Sequence, residues 1–328
     1  MRNPHDKFFK ETLTRRENAI SFFREYLPGD IVSQLDWRTL KISRETFVEP
    51  RLRERFSDIV YEIRARGRRM FIYLLLEHQS TVDPWMPLRL LGYMVRLWEL
   101  WRKQNPDEEK LPGIIPVLFY HGKQEWDVSV HFRDMTEVPD LTEKFIPQFE
   151  YLLRDFSPLG DEEIRGTVLL RLFLGVMGHI FSPRFAEAFD RMLPLFAELS
   201  GKKTGMEHIE TVLRYICHTS EALSWKEMEV KLVQAFEEDR KGDIMTIADE
   251  LRMEGEIRGE IRGEIRGEIK GEIKGEIKTY QRLMDNGLIP REVAEKKIAE
   301  LSEKLEAFTV DAHMLPAGTS DISDQISA

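Results

Sequence analysis

Residues 70–76, MFIYLLL, are apolar at every position. A strand with one wet face alternates apolar and polar side chains, so an unbroken run describes a strand covered on both faces. Such a strand asks for a sheet with helices packed on each side. The run halts at Glu77, His78 and Gln79. It follows the basic, glycine-containing stretch RARGRR at 64–69 and an earlier apolar segment, SDIVYEI, at 57–63. Two strands joined by a tight turn account for this order.

The turn decides which side chains meet. With Gly67-Arg68 at a type II′ turn, Asp58 stands directly opposite Glu77, where Cβ atoms are about 4.5–5.5 Å apart. With Arg66-Gly67 at the turn the two become diagonal neighbours, still on one face. Gln79, two residues beyond Glu77, shares that face. Either register gathers two carboxylates and an amide at the end of a buried strand. Carboxylates that close do not both stay ionised without a positive charge between them. Mg²⁺ suits the position, because it takes one or two carboxylates and completes its shell with water and a phosphate; Mn²⁺ or Ca²⁺ could replace it. Such an ion positions water and stabilises the charge that develops on a phosphodiester. A solvated Glu77, with Asp58 capping a loop or paired to an arginine, satisfies the same pattern. Arg64, Arg66, Arg68 and Arg69 read either as a solvated turn or as a contact to a phosphate. His5, His78 and His121 carry no specific signal.

Around this hairpin the order is helix, strand, strand, strand, helix, strand. Apolar residues recur at helical spacing from Pro4 to Leu27, a strand is expected near Thr39–Val48, and Asp83-Pro84 opens a helix with apolar residues around most of its circumference. IIPVLFYHG at 114–122 reads as another central strand. Residues from about 123 to 250 read as mainly helical. No run of eighteen apolar residues exists, which points to a soluble cytoplasmic protein without a membrane partner. The single cysteine, Cys217, excludes an internal disulfide framework and a cysteine-cluster metal site. The net charge of −10 argues against a polyanionic partner, but it is unevenly spread. Residues 1–110 hold 21 Lys and Arg against 17 Asp and Glu, whereas residues 111–328 hold 27 against 41. The half containing the hairpin is the one able to face nucleic acid.

Residues 255–278 are six tandem tetrapeptides, GEIR three times and then GEIK three times. On a helix the four residue types form four stripes, and each of the six glycines costs about 0.8–1.0 kcal/mol relative to alanine. An isolated helix is disfavoured; a helix paired in parallel with a second copy sets Glu against Arg or Lys. The segment is therefore read as either a homo-oligomerisation helix or a flexible linker. A further helix (279–310) and a disordered tail (311–328) are expected after it.

Six segments, HDKFFK at 5–10, FFREYLP at 22–28, SDIVY at 57–61, LLEHQS at 75–80, MPLRLLGYMVRLWE at 86–99 and IIPVLFYHG at 114–122, resemble the recombination-promoting nucleases, also described as YhgA-like transposases, of the PD-(D/E)XK nuclease superfamily. The resemblance implies an α/β fold with a PD-(D/E)XK-like mixed sheet flanked by helices over residues 1–125. A helical region (126–254) and the repeat follow. It implies metal-dependent cleavage of double-stranded DNA, linked to recombination or mobile elements, with Asp58 and Glu77 as metal ligands. Gln79 stands where the superfamily's lysine is usual, so it can orient water or phosphate but supplies no charge; a slow nuclease tolerates that loss, especially where an arginine from the 64–69 turn supplies the charge. Ser57 replaces the usual proline. Asp6 or Glu17 would be a third acidic ligand from the first helical stretch. The alternative is a catalytically inactive nuclease-like module for binding DNA or protein.

Overall fold

A computed structural model describes residues 4–43, 57–77, 82–137, 139–157, 163–220 and 222–310. The chain forms two compact units, residues 2–248 and 249–328. The first holds a five-stranded sheet in the order β1 (Leu35–Ile42), β2 (Ser57–Ala65), β3 (Arg68–Glu77), β4 (Gly113–Tyr120) and β5 (Leu152–Asp155). β1–β2 and β2–β3 are antiparallel, whereas β3–β4 and β4–β5 are parallel. This is the mixed α/β sheet with flanking helices that the continuous apolar run demanded. β3 is buried from Phe71 through Glu77. A parallel neighbour needs a crossover, and the helix α4 (Met86–Gln104) supplies it between β3 and β4.

α4 covers one face of the sheet. Its Met86, Leu90, Leu97 and Trp101 pack against Val60, Phe71, Tyr73, Leu75 and Leu118. The other face is covered by α1 (Pro4–Leu13) and α2 (Arg16–Tyr26), whose Phe9 and Phe22 meet Phe119 while Phe23 stands edge-on to Tyr61. The sequence pattern suggested one helix from Pro4 to Leu27; the chain breaks it at Thr14-Arg15. Asn18 Nδ2 donates to the Thr12 carbonyl, which a continuous helix would use, and Thr14 Oγ1 adds a second bond to the Lys10 carbonyl that already accepts the Thr14 N–H. A short helix α3 (Gly29–Val32) leads to β1.

Beyond β4, a segment read as mainly helical contributes the edge strand β5. It pairs with β4 only from Val117 onward, past Pro116, which has no N–H to give. A short α5 (Pro139–Thr142) precedes it, and the helices α6 (Val168–His179), α7 (Phe185–Ser200), α8 (Gly205–Thr219) and α9 (Trp225–Ala235) follow. α6 is buried almost all round because α2, α7 and α8 pack on it. α9 starts with a reciprocal Ser224–Glu227 capping box.

The repeat lies within one helix, α10 (Glu238–Asp285). α10 ends in a Schellman motif: Leu288 N–H reaches the Leu283 carbonyl, Gly287 N–H reaches that of Met284, and Gly287 takes φ 65°. α11 (Arg291–Val310) then lies alongside the end of α10, with Lys297 in electrostatic reach of Tyr280 and Glu276. Ile273, Ala294 and Leu301 are buried there. The expected tail (311–328) and the end of the expected 39–48 strand lie outside the described residues, as do His78 and Gln79.

Candidate active site

The hairpin turn is Arg66-Gly67, with φ of 49° and 76°, and Ala65 pairs with Arg68. Both turn residues are left-handed, as a type I′ turn requires. Asp58 therefore pairs with Leu75, and the directly opposed Asp58–Glu77 register is not the one adopted. Asp58 and Glu77 are diagonal neighbours on the face that α4 covers. Cross-strand partners share a face, and so do residues two apart on one strand.

Each carboxylate has partners. Asp58 Oδ2 accepts a 2.9 Å hydrogen bond from the Tyr73 hydroxyl, and burial together with that charge raises the Tyr73 pKa well above its ordinary value. Tyr73 stacks on Tyr93 of α4. Glu77 is 1% exposed. Arg89, from the first turn of α4, donates through Nη1 to Glu77 Oε2 at 3.3 Å and to Asp83 Oδ2 at 2.6 Å. Burial works against the Arg89 charge, but the hydrogen bond to Asp83 and the nearby Tyr93, Glu77 and Asp83 outweigh it and raise its pKa. Asp83 does not cap the helix as the Asp83-Pro84 pair suggested. α4 begins two residues later, and Asp83 Oδ1 instead accepts the Trp85 N–H at 2.9 Å.

Further residues gather at this end of the sheet. Tyr120, paired with Glu77 across the parallel ladder, has its pKa pushed up to about 12 by burial, Asp155 and then Glu77. His121 N–H donates to the Glu77 carbonyl. The His121 ring is fully buried, stacked on Phe181 and 5.2 Å from the ring of His5, whose Nδ1 lies 2.7 Å from the Tyr215 hydroxyl. These two histidines, 116 positions apart in sequence, left no local trace of their meeting. Asp6 stands beside His5 on α1. Glu17 is exposed, and its carboxylate acts on His208.

The turn arginines are elsewhere. Eight residues of extended strand separate Arg69 from Glu77, roughly 27 Å. Arg64, Arg66, Arg68 and Arg69 are exposed at the far end of the hairpin, where Arg69 pairs with Glu62 at 3.0 Å and lies over Trp101. They cannot deliver charge to a phosphate held at Glu77. The cation that can is Arg89, which the strand pattern did not reveal. A signal for it exists. A cation in the first turn of a helix opposes the macrodipole, so Arg89 needs acidic neighbours.

Asp58 and Glu77 are the residues that would hold a hard divalent cation. They lie on one face of adjacent strands, but among the described residues no cluster of three or more His, Cys, Asp or Glu suited to a metal occurs. Such a pair leaves most of an octahedral shell to water and phosphate, as Mg²⁺ prefers. Arg89 sits closer to Asp83 than to Glu77.

The family described as "Putative transposase, YhgA-like" matches residues 3–207. The chain is 28% identical over 254 residues to Recombination-promoting nuclease RpnA of Escherichia coli (strain K12), covering 77% of this chain and 85% of that protein. It is 30% identical over 257 residues to Recombination-promoting nuclease RpnD of Escherichia coli O157:H7, covering 76% and 94%. It is also 26% identical over 254 residues, 77% and 83%, to the Inactive recombination-promoting nuclease-like protein RpnE of the K12 strain. No solved structure matches the chain. On this match the chain belongs to the YhgA-like transposase family.

Proposed function

We propose that the protein is a divalent-metal-dependent endonuclease that hydrolyses phosphodiester bonds of double-stranded DNA in recombination. The observation that carries this reading is the diagonal placement of Asp58 and buried Glu77 on one face of adjacent strands. The names of the relatives support the nuclease class. Asp58 and Glu77 would hold the cation, which supplies charge stabilisation at the phosphate and a bound water for attack. Tyr73 fixes the orientation of the Asp58 carboxylate through its hydroxyl. Arg89 then provides the positive charge that Gln79 lacks, turning from Glu77 toward a phosphate oxygen as the cation takes over the carboxylate. A guanidinium suits that task because its charge persists in a partly buried position. Self-association through residues 255–278, in the cytoplasm, would bring two such sites to the two strands of a duplex.

A second reading is favoured by one feature: the Arg89–Glu77 ion pair already answers part of the carboxylate charge without a metal. In that reading the protein binds DNA without cutting it, as a relative named inactive also suggests. Nicking of supercoiled plasmid separates the two. The wild type should nick with Mg²⁺ and stop in EDTA, and Asp58→Ala should lose at least about 100-fold of the rate, on the scale of removing one transition-state contact. Equal rates in wild type and Asp58→Ala would leave the second reading standing.

A further inference from the structure

α4 shows solvent an unusual face. Opposite the side packed on the sheet, Trp85, Leu88 and Val95 are exposed, Trp85 by 60%, and Gly92 between them has open space around it. Large aromatic side chains are normally covered. The other five tryptophans of the chain are all at least half-buried. Trp37 lies under Arg24, Trp101 under Arg69, and Trp98 and Trp126 bond backbone carbonyls through Nε1. Trp85 differs, and it stands beside the candidate site. Its N–H is held by Asp83, which holds Arg89, which reaches Glu77.

The charges on the helix say what such a face would meet. α4 carries Arg89, Arg96, Arg102 and Lys103 against one acid, Glu99. Arg89 is committed to Asp83 and Glu77. Arg96, Arg102 and Lys103 form no ion pair among the described residues. A second copy of this face would bring like charges together, so self-pairing is disfavoured and a polyanion favoured. An exposed aromatic ring followed by a basic track is the arrangement by which proteins hold single-stranded nucleic acid: bases stack on the ring and phosphates follow the cations.

We propose that the outer face of α4 is a binding track for single-stranded DNA, with Trp85 stacking on an unpaired base next to the phosphate presented to Asp58 and Glu77. The track runs from Trp85 to Lys103, roughly 27 Å along the helix. It rests on the reading of that sheet end as the place where DNA is met, and it adds a substrate class: DNA with unpaired bases at the cut.

The test is binding of a fluorescein-labelled oligothymidylate of about 15 nucleotides to the full chain in EDTA, read by anisotropy. Trp85→Ala should weaken binding about tenfold, Trp85→Phe should recover most of it, and Arg102→Glu with Lys103→Glu should weaken it further and flatten its salt dependence. The oligonucleotide should quench wild-type tryptophan fluorescence, and that quench should vanish in Trp85→Phe. Unchanged affinity in Trp85→Ala overturns the proposal, as does unchanged affinity with an altered sedimentation coefficient, which would make the face a protein interface. The assay needs no metal, so its failure is distinguishable from failure of the nuclease reading: plasmid nicking unaffected by Asp58→Ala would sink cleavage at that pair while leaving the stacking result intact.

Discussion

Arg89 joins Glu77 and Asp83 through a single nitrogen, and its position decides how the candidate site is charged before any ligand arrives. Breaking a buried pair by removing one partner costs about 3–5 kcal/mol, and the 19% exposure of the Arg89 side chain lowers that to about 2–3 kcal/mol through screening. Arg89→Gln should therefore destabilise the protein by that amount in EDTA. Mg²⁺ should restore part of the loss, and the restoration should disappear when Glu77→Gln is added; urea unfolding with and without Mg²⁺ measures both. If Mg²⁺ stabilises the double variant as well, it binds elsewhere. At this scale the sequence was a partial guide. Asp58 and Glu77 could be paired from strand alternation alone, because two apolar runs and a turn leave only two registers. Arg89 and the His5–His121 contact could not, since each depends on a helix or a distant segment arriving at the strand end.

The hairpin shows why the register itself needed the structure. Both candidate turns have the primed geometry that suits twisted strands, so glycine alone could not choose between them. The adopted register sets Glu62 opposite Phe71, which leaves Arg69 diagonal to Glu62 and lets it lie over Trp101 of α4. Contacts outside the hairpin thus favour a turn that forces Arg66 to φ 49°. Left-handed backbone is unfavourable by about 1–2 kcal/mol for a residue such as arginine and much less so for asparagine. Arg66→Asn should accordingly raise stability by about 0.5–1 kcal/mol in urea unfolding; a loss of stability would mean that the Arg66 side chain contributes a contact of its own. The other elements divide along the same line. The central strands and α4 were legible because burial writes itself into apolar periodicity. The break between α1 and α2 was not, because the one diverted carbonyl, that of Thr12, is taken by the Asn18 side chain. β5 escaped because four half-buried residues have too little period to read.

Across the molecule, charge and family span draw different boundaries, near residue 110 and at residue 207. The net positive region carries β1, β2, β3 and α4, whereas β4 and β5 lie in the acidic half, and the family match ends at residue 207, short of the tetrapeptide repeat. The repeat's helical state was the harder inference, since six glycines oppose it and only the folded chain shows α10 running through them. Among the described residues no helix is long and apolar enough to cross a membrane. The function proposed for this chain reduces to one physical statement: a cation binds where Asp58 and Glu77 meet, displacing Arg89 from Glu77. Titration of Mn²⁺ followed by electron paramagnetic resonance reads that directly in wild type, Asp58→Ala and Glu77→Gln. The account predicts one bound ion per chain in the wild type and affinity weakened about tenfold or more in each variant, the usual scale for losing a charged ligand contact. Wild-type affinity retained in Glu77→Gln would contradict it.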